Sequence, residues 1–211
     1  MNEFIICYIL QKGEDTSETL SNLGISHHNR RKFDLALTCH TRALKLREAV
    51  HPKDYLSIAG NLRGVANARW ARREFPEALD AARQALLIHQ TLTPINETNV
   101  ATSWATMANI YHDFGDTARA LELGTRAIVL LESCESSNSP KLAAAYHNLA
   151  AFQLSRGELL EARYSFEKAL KIYTEILPTT HPTRKTIENH IQSITRSQRE
   201  IADRYLTDTY E

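Results

Sequence analysis

The chain has 211 residues, 43% of them hydrophobic, and a formal net charge of zero. That is enough apolar material for one or two compact domains or one elongated array, but it supplies no bulk basic surface of the kind that displaces counterions from nucleic acid. The cysteines, Cys7, Cys39 and Cys134, are odd in number and far apart; this argues against a disulfide framework or a C-x-x-C zinc site and points to reduced thiols in a cytoplasmic compartment.

In chain order, the first feature is an unbroken apolar run from Phe4 to Leu10. It is far shorter than the roughly 20 residues that span a bilayer. It also lacks a basic n-region and a small-residue cleavage site, so no membrane segment and no secretory signal are expected. Without such a signal, the Asn96-Glu97-Thr98 sequon reads as accidental. Residues 1–13 are expected to form an apolar cap over the first end of the array; the alternative is a remnant of an upstream region or a contact with a partner copy.

Repetition dominates residues 14–180. Ala36, Ala78, Ala120 and Ala162 recur every 42 residues, and so do Ala43, Ala85, Ala127 and Ala169. Gly24, Ala66, Ala108 and Ala150 form a third small-residue column, preceded by Leu23, Val65, Met107 and Leu149. Small side chains let helix backbones approach closely, and neighbouring large aliphatics fill the grooves. Ala36, Ala43 and Leu44 lie at i, i+7 and i+8, one face of an α-helix. Leu46, Ile88, Leu130 and Ile172 extend that face. No segment alternates with period 2, so no strand is expected.

Each unit therefore predicts a helix A, a tight turn and a helix B. Gly115-Asp116 and Gly157 mark the third and fourth turns, and Pro76 suits the first turn of the second helix B. Arg30-Arg31-Lys32 is a weaker signal for the first turn, a basic cluster that reads as solvated. His51-Pro52, Thr93-Pro94, Ser139-Pro140 and His181-Pro182 separate the units, because proline disfavours helix at the residue before it. The expected repeats are 14–53, 54–97, 98–139 and 140–180. Gly60 and Gly64 weaken the second helix A, so that unit is expected to bend or move locally.

Residues 181–211 predict a capping helix and tail. Ile187, Ile191, Ile194, Ile201 and Tyr205 form one apolar stripe, and Gln192, Arg196, Arg199, Glu200, Asp203 and Arg204 cover the rest. A repeat stack needs such an end, since the last unit would otherwise expose its apolar interface.

The chemistry of catalysis has no residue constellation here. His27 and His28 are adjacent and point apart, His112 and His147 fall in different units, and no His-Glu-x-x-His occurs. There is no phosphate-cradling glycine loop and no nucleophile elbow. Carboxylates sit beside Lys or Arg at helical spacing, as in Glu167-Lys168-Lys171, as solvated pairs do. No enzyme activity, metal or cofactor is expected.

The columns resemble the tetratricopeptide repeat family. Leu20, Leu62, Trp104 and Tyr146 take the opening position of its signature, followed by the small-residue column, by Phe33, Phe75, Thr117 and Leu159, and by the two alanine columns. The usual repeat is about 34 residues, whereas this one is 42. That length, with Tyr-Ser-Phe-Glu-Lys-Ala-Leu-Lys-Ile-Tyr at 164–173, looks like the kinesin-light-chain subtype. Arg69 replaces an expected tyrosine, and His40, Ala82 and Gly124 occupy an often-aromatic column. The resemblance implies an all-α, right-handed α-solenoid of four helix-turn-helix repeats with a C-terminal capping helix. It also implies a non-catalytic scaffold or adaptor that binds an extended peptide segment of a protein partner in a concave groove.

The groove positions that the resemblance implies include Asn22, Arg63, Asn67, Trp70, Asn109, His112, His147 and Asn148. Asparagine recurs once per helix A, as Asn22, Asn67, Asn109 and Asn148. An amide can donate to and accept from a peptide main chain at once; the competing reading is that these amides only hold neighbouring helices. Arg63 is the one clear cation among these positions, which argues against a clamp for a terminal carboxylate. Neither nucleic acid nor membrane is an expected partner, and self-association is left open. The alternative function is an oligomerisation or regulatory, sensory module of a larger protein whose catalytic part lies elsewhere.

Overall fold

A computed structural model describes the backbone of residues 3–208 and the side chains of residues 16–200. Among the described residues there are nine α-helices and no strand. The helices are α1 (Glu3–Asn29), α2 (Phe33–Ala49), α3 (Tyr55–Ala71), α4 (Phe75–Thr91), α5 (Glu97–Phe114), α6 (Thr117–Cys134), α7 (Pro140–Ser155), α8 (Leu159–Ile176) and α9 (Pro182–Asp208). The all-α repeat expectation is borne out: α1, α3, α5 and α7 are the A helices, and α2, α4, α6 and α8 the B helices. None of the described helices is long and apolar enough to cross a membrane. The side chains of Phe4 to Leu10 lie outside the described residues, as do Cys7, Ile201, Asp203, Arg204 and Tyr205.

The small-residue columns are the packing surfaces. Ala36, Ala43, Ala66, Ala78, Ala120, Ala127, Ala150, Ala162 and Ala169 have no exposed surface, and Ala85 and Ala108 have 1%. A backbone bearing only a methyl group at these points lets the partner helix close on it. The accompanying aliphatics are less uniform. Val65, Met107 and Leu149 are buried, but Leu23 is 44% exposed.

The four A-to-B turns share one backbone solution. Arg31, Arg73, Gly115 and Gly157, each 42 residues after the last, have φ of 59°, 64°, 99° and 77°. At each, this residue's N–H bonds back to the carbonyl three residues earlier, and the next residue's N–H bonds to the carbonyl five earlier: Arg31 to His28 and Lys32 to His27 in the first turn, Gly157 to Leu154 and Glu158 to Gln153 in the fourth. This is the Schellman closure, which satisfies the last carbonyls of helix A. Glycine adopts positive φ without strain, whereas arginine does so at a cost. The weak turn signal in the first repeat therefore has a physical cause: its left-handed position is occupied by Arg31.

The chain divides into two compact units, Met1–Ile110 and Tyr111–Glu211. In the first, α1 packs on α2, α2 on α3 and α3 on α4. Ile58, Ala59, Leu62 and Ala85 form its core with Leu44 and Ile88 against them. In the second, α6 packs on α7, α7 on α8 and α8 on α9. Leu131, Phe152, Phe166, Ile187 and Ile194 are buried there. α3 is uninterrupted despite Gly60 and Gly64.

Candidate functional site

A polar concavity lies in the first unit, where α1 and α3 face each other over α2. On α1, Ser17, Ser21, Ile25 and His28 recur at helical spacing, as do Ser57, Asn61, Gly64 and Asn67 on α3, so each helix turns one face to the opening. His40 and Arg47 of α2, two turns apart, form the floor. The opening comprises two clefts of about 480 and 400 Å³ that share Ser21, Arg47 and Ser57.

The floor is a hydrogen-bonded cluster. Arg47 donates from Nε to Ser17 Oγ (3.2 Å) and from Nη1 to the Ser57 carbonyl (2.9 Å), tying α2 to both A helices. The Ser21 hydroxyl lies 2.8 Å from both the Ser17 carbonyl oxygen and Asn61 Oδ1, with one proton to give. His40 Nδ1 is 3.5 Å from Asn61 Oδ1. Asn61 is 1% exposed, His40 4% and Ser17 2%. Asn61 Nδ2 is buried without a partner.

Two glycines, Gly24 of α1 and Gly64 of α3, are spacers for the imidazole. A Cβ on Gly24 would stand 2.7 Å from His40 Nε2, and one on Gly64 would stand 2.6 Å from three atoms of the same ring. Any side chain at either position would displace the ring. The conformational cost of Gly64 in mid-helix thus makes room for a buried polar side chain.

The larger cleft, beside Pro52, holds Glu18 and Asp54 with Arg47. Burial alone would raise the Asp54 carboxyl, but hydrogen bonds from Ser57 and the charge of Arg47 hold it below the usual carboxylate range. The smaller cleft is different: His28, His40, Arg47 and Arg63 line it with Asn29, Asn61 and Asn67, and no carboxylate is among its lining residues. Burial pushes the His40 imidazole below its ordinary midpoint, the bond to Asn61 offsets part of this, and the charge of His28 adds to it. His40 is therefore neutral at pH 7, and the fixed positive charge in this cleft comes from Arg47 and Arg63.

Of the positions singled out in the sequence, Arg63 and Asn67 line the smaller cleft and Asn22 the larger. Trp70 and Asn109 are half-buried in the same unit. His112, His147 and Asn148 belong to the second unit. There His112 Nε2 is 2.8 Å from Ser155 Oγ, and its ring lies 4.9 Å from that of Phe152. The His147 ring lies 5.7 Å from Phe166, and burial, aided by His190, lowers its midpoint. Asn148 is half-buried. None of the four recurrent asparagine amides hydrogen-bonds to another described side chain or backbone group, whereas Asn61, outside that row, does.

Ser21 and His28 are also among the groove positions that the resemblance implies, and both line the smaller cleft; Ser17, His40, Arg47, Ser57 and Asn61 were not legible as site residues. Arg47 lies on a helix B, so a search confined to helix A positions misses the second cation of the cleft. The residues one repeat on from Ser17 and Asn61 are Ala59 and Ser103, so no column marks them. The one available signal was the pair Gly24 and Gly64 flanking a histidine in an often-aromatic column.

Comparison with known proteins bears on the fold. The chain superposes on the crystal structure of BtubC (BKLC) from P. vanneervenii with a TM-score of 0.77 at 17% identity, covering 93% of this chain and 78% of that one. A kinesin-light-chain-type protein from Podosopora anserina with nearly identical TPR-like repeats gives 0.67 at 20% identity, covering 90% and 91%. A Rap protein complexed with Competence and Sporulation Factor gives 0.72 at 19% identity, covering 89% of this chain and 50% of that one. No curated protein sequence matches the chain. The tetratricopeptide repeat family matches residues 15–91 and 98–175. Its helical-repeat fold is in general a non-catalytic module for protein interaction. With two family matches along most of its length and the repeat architecture they require, the chain belongs to the tetratricopeptide repeat family.

Proposed function

We propose that the chain is a non-catalytic adaptor that binds an extended segment of a protein partner, and that the α1–α3 clefts of the first unit are where the segment enters. The observation that carries this reading is the smaller cleft: Arg47, Arg63 and Asn67 line it and no carboxylate does. An extended main chain presents a carbonyl oxygen at every residue, and amide or guanidinium donors held by helices meet it with little ordering cost. The unpartnered amides of Asn22 and Asn67 support a binding role over a helix-tying one, since neither holds a neighbouring helix among the described residues. The solved Rap protein with its bound signalling factor supports the same reading by analogy of fold. Among the described residues, Cys39 and Cys134 are not in a disulfide, which fits a reducing cytoplasmic setting.

The test is selection of peptides from a displayed library on the intact chain, followed by fluorescence anisotropy with the selected sequence. Arg63→Ala and Asn67→Ala, both at positions open to solvent, should each weaken binding about tenfold, or ~1.4 kcal/mol, with the urea midpoint unchanged. Equal affinity for wild type and both variants would place the segment elsewhere. Failure to select any sequence would reject the peptide reading.

A further inference from the structure

We propose that His40 is an acid-sensitive latch: seated between Gly24 and Gly64 as a neutral imidazole, it keeps α1 packed on α3 around the cleft, and on protonation it leaves the slot and lets the two helices part. The proposal concerns the cleft named above, and its consequence for ligand binding rests on that reading.

The geometry makes the slot two-sided and tight. His40 is 4% exposed, with Gly24 of α1 on one side and Gly64 of α3 on the other, both too near to tolerate a Cβ. Its polar partner among the described residues is Asn61 Oδ1. That acceptor is shared with the Ser21 hydroxyl of α1, so the imidazole, the amide and the hydroxyl bind the three helices together. One acceptor suits an imidazole with one N–H, whereas imidazolium carries two donors.

No counter-charge for imidazolium lines the cleft. His28 of α1, Arg63 of α3 and Arg47 of α2 line it with His40, and no carboxylate does; of these, His28 disfavours the charged ring. Glu18 and Asp54 line the adjoining cleft together with Arg47. A proton on His40 therefore gains no counter-charge in place. It is accommodated when the ring swings out to water, which removes the wedge from both glycines and the bond from Asn61. Burial lowers the midpoint of His40, in keeping with a group that resists protonation while seated.

The sign follows from proton linkage. The unfolded or opened chain binds a proton at the ordinary histidine midpoint of 6.5, and the seated ring binds it only at lower pH. The latch is fully closed above 6.5 and is lost as pH falls through the seated midpoint.

The experiment is a proton-NMR titration of the histidine Cε1–H resonances of the intact chain, with His40 assigned by through-bond correlation and checked against His40→Gln. His40 should titrate below the ordinary midpoint, and hydrogen-exchange protection factors at residues 21–28 and 61–67 should fall about tenfold as it does so. Titration at or above the ordinary midpoint, or protonation without loss of protection, overturns the latch. The wild-type readings decide this even if His40→Gln fails to fold. With a selected peptide, affinity should weaken about tenfold between about pH 7.5 and about pH 5 in wild type and much less in His40→Gln. Equal pH dependence in both proteins overturns the regulatory consequence. Absence of any peptide affinity at neutral pH rejects the adaptor reading, and the exchange data still decide the latch.

Discussion

His40 and Phe166 stand at the same position of the repeat, three repeats apart, in the column His40, Ala82, Gly124, Phe166. Their neighbours correspond as well: Asn61 and Gly64 of α3 match Ile187 and His190 of α9. In the second unit Phe166 is 1% exposed and Ile187 fully buried. The phenyl ring lies 5.1 Å from His190 in a parallel stack and 5.7 Å from His147. In the first unit the same sites hold an imidazole and an amide paired by a hydrogen bond, with a glycine against the ring. One backbone arrangement thus accepts either filling. The apolar filling contributes burial that is insensitive to pH, and the polar one trades part of that for a group that titrates.

Breaking the apolar side of this comparison should have the largest effect. Phe166→Ala removes a fully buried ring, its stack on His190 and its tilted contact with His147, so a loss of about 3–5 kcal/mol is expected from urea unfolding. A loss below about 1 kcal/mol would mean that α9 contributes little to the second unit's core.

Next in size is the glycine slot. Gly64→Ala places a methyl 2.6 Å from the His40 ring, and overpacking of this kind costs about 1–3 kcal/mol. Elsewhere in a helix the same change is favourable by about 1 kcal/mol. A stabilised Gly64→Ala protein would show that His40 does not need the slot.

The turns sharpen the comparison at smaller scale. Gly115 has φ of 99° and nothing within 4 Å of a built Cβ, so Gly115→Ala should cost about 1–2 kcal/mol through backbone strain alone. Arg31 has φ of 59° and is exposed. Arg31→Gly relieves that strain but adds unfolded-state entropy, for a net gain of about 0.5 kcal/mol. Thermal melts of the two variants should shift in opposite directions.

The most gradual effect is that of acid. Burial lowers the midpoints of His40, His89 and His147. Unfolding takes up protons at each, so stability should be full above pH 6.5 and decline as pH falls below it. Replacing His40 by Gln should flatten this decline more than replacing the exposed His51, by urea midpoints across the range. An unchanged slope would place the acid sensitivity in the other two histidines.

The repeat spacing was enough to establish the helix pairs, their turns and the buried alanine columns, because each is a short-range demand: a small residue where two backbones meet, a helix period, a break before proline. The row of asparagines was equally visible, since one stands within two residues of the small-residue column in each helix A. What sequence spacing could not disclose is the cluster that Ser17, His40, Arg47, Ser57 and Asn61 form with Ser21. Its members come from three helices, and each takes its role from partners up to 40 residues away. Gly64 shows the difference most plainly. As a sequence feature it is a weak point in a helix. In the folded unit it faces an imidazole that leaves no room for a side chain, and only the packing of α2 against α3 brings that ring to it.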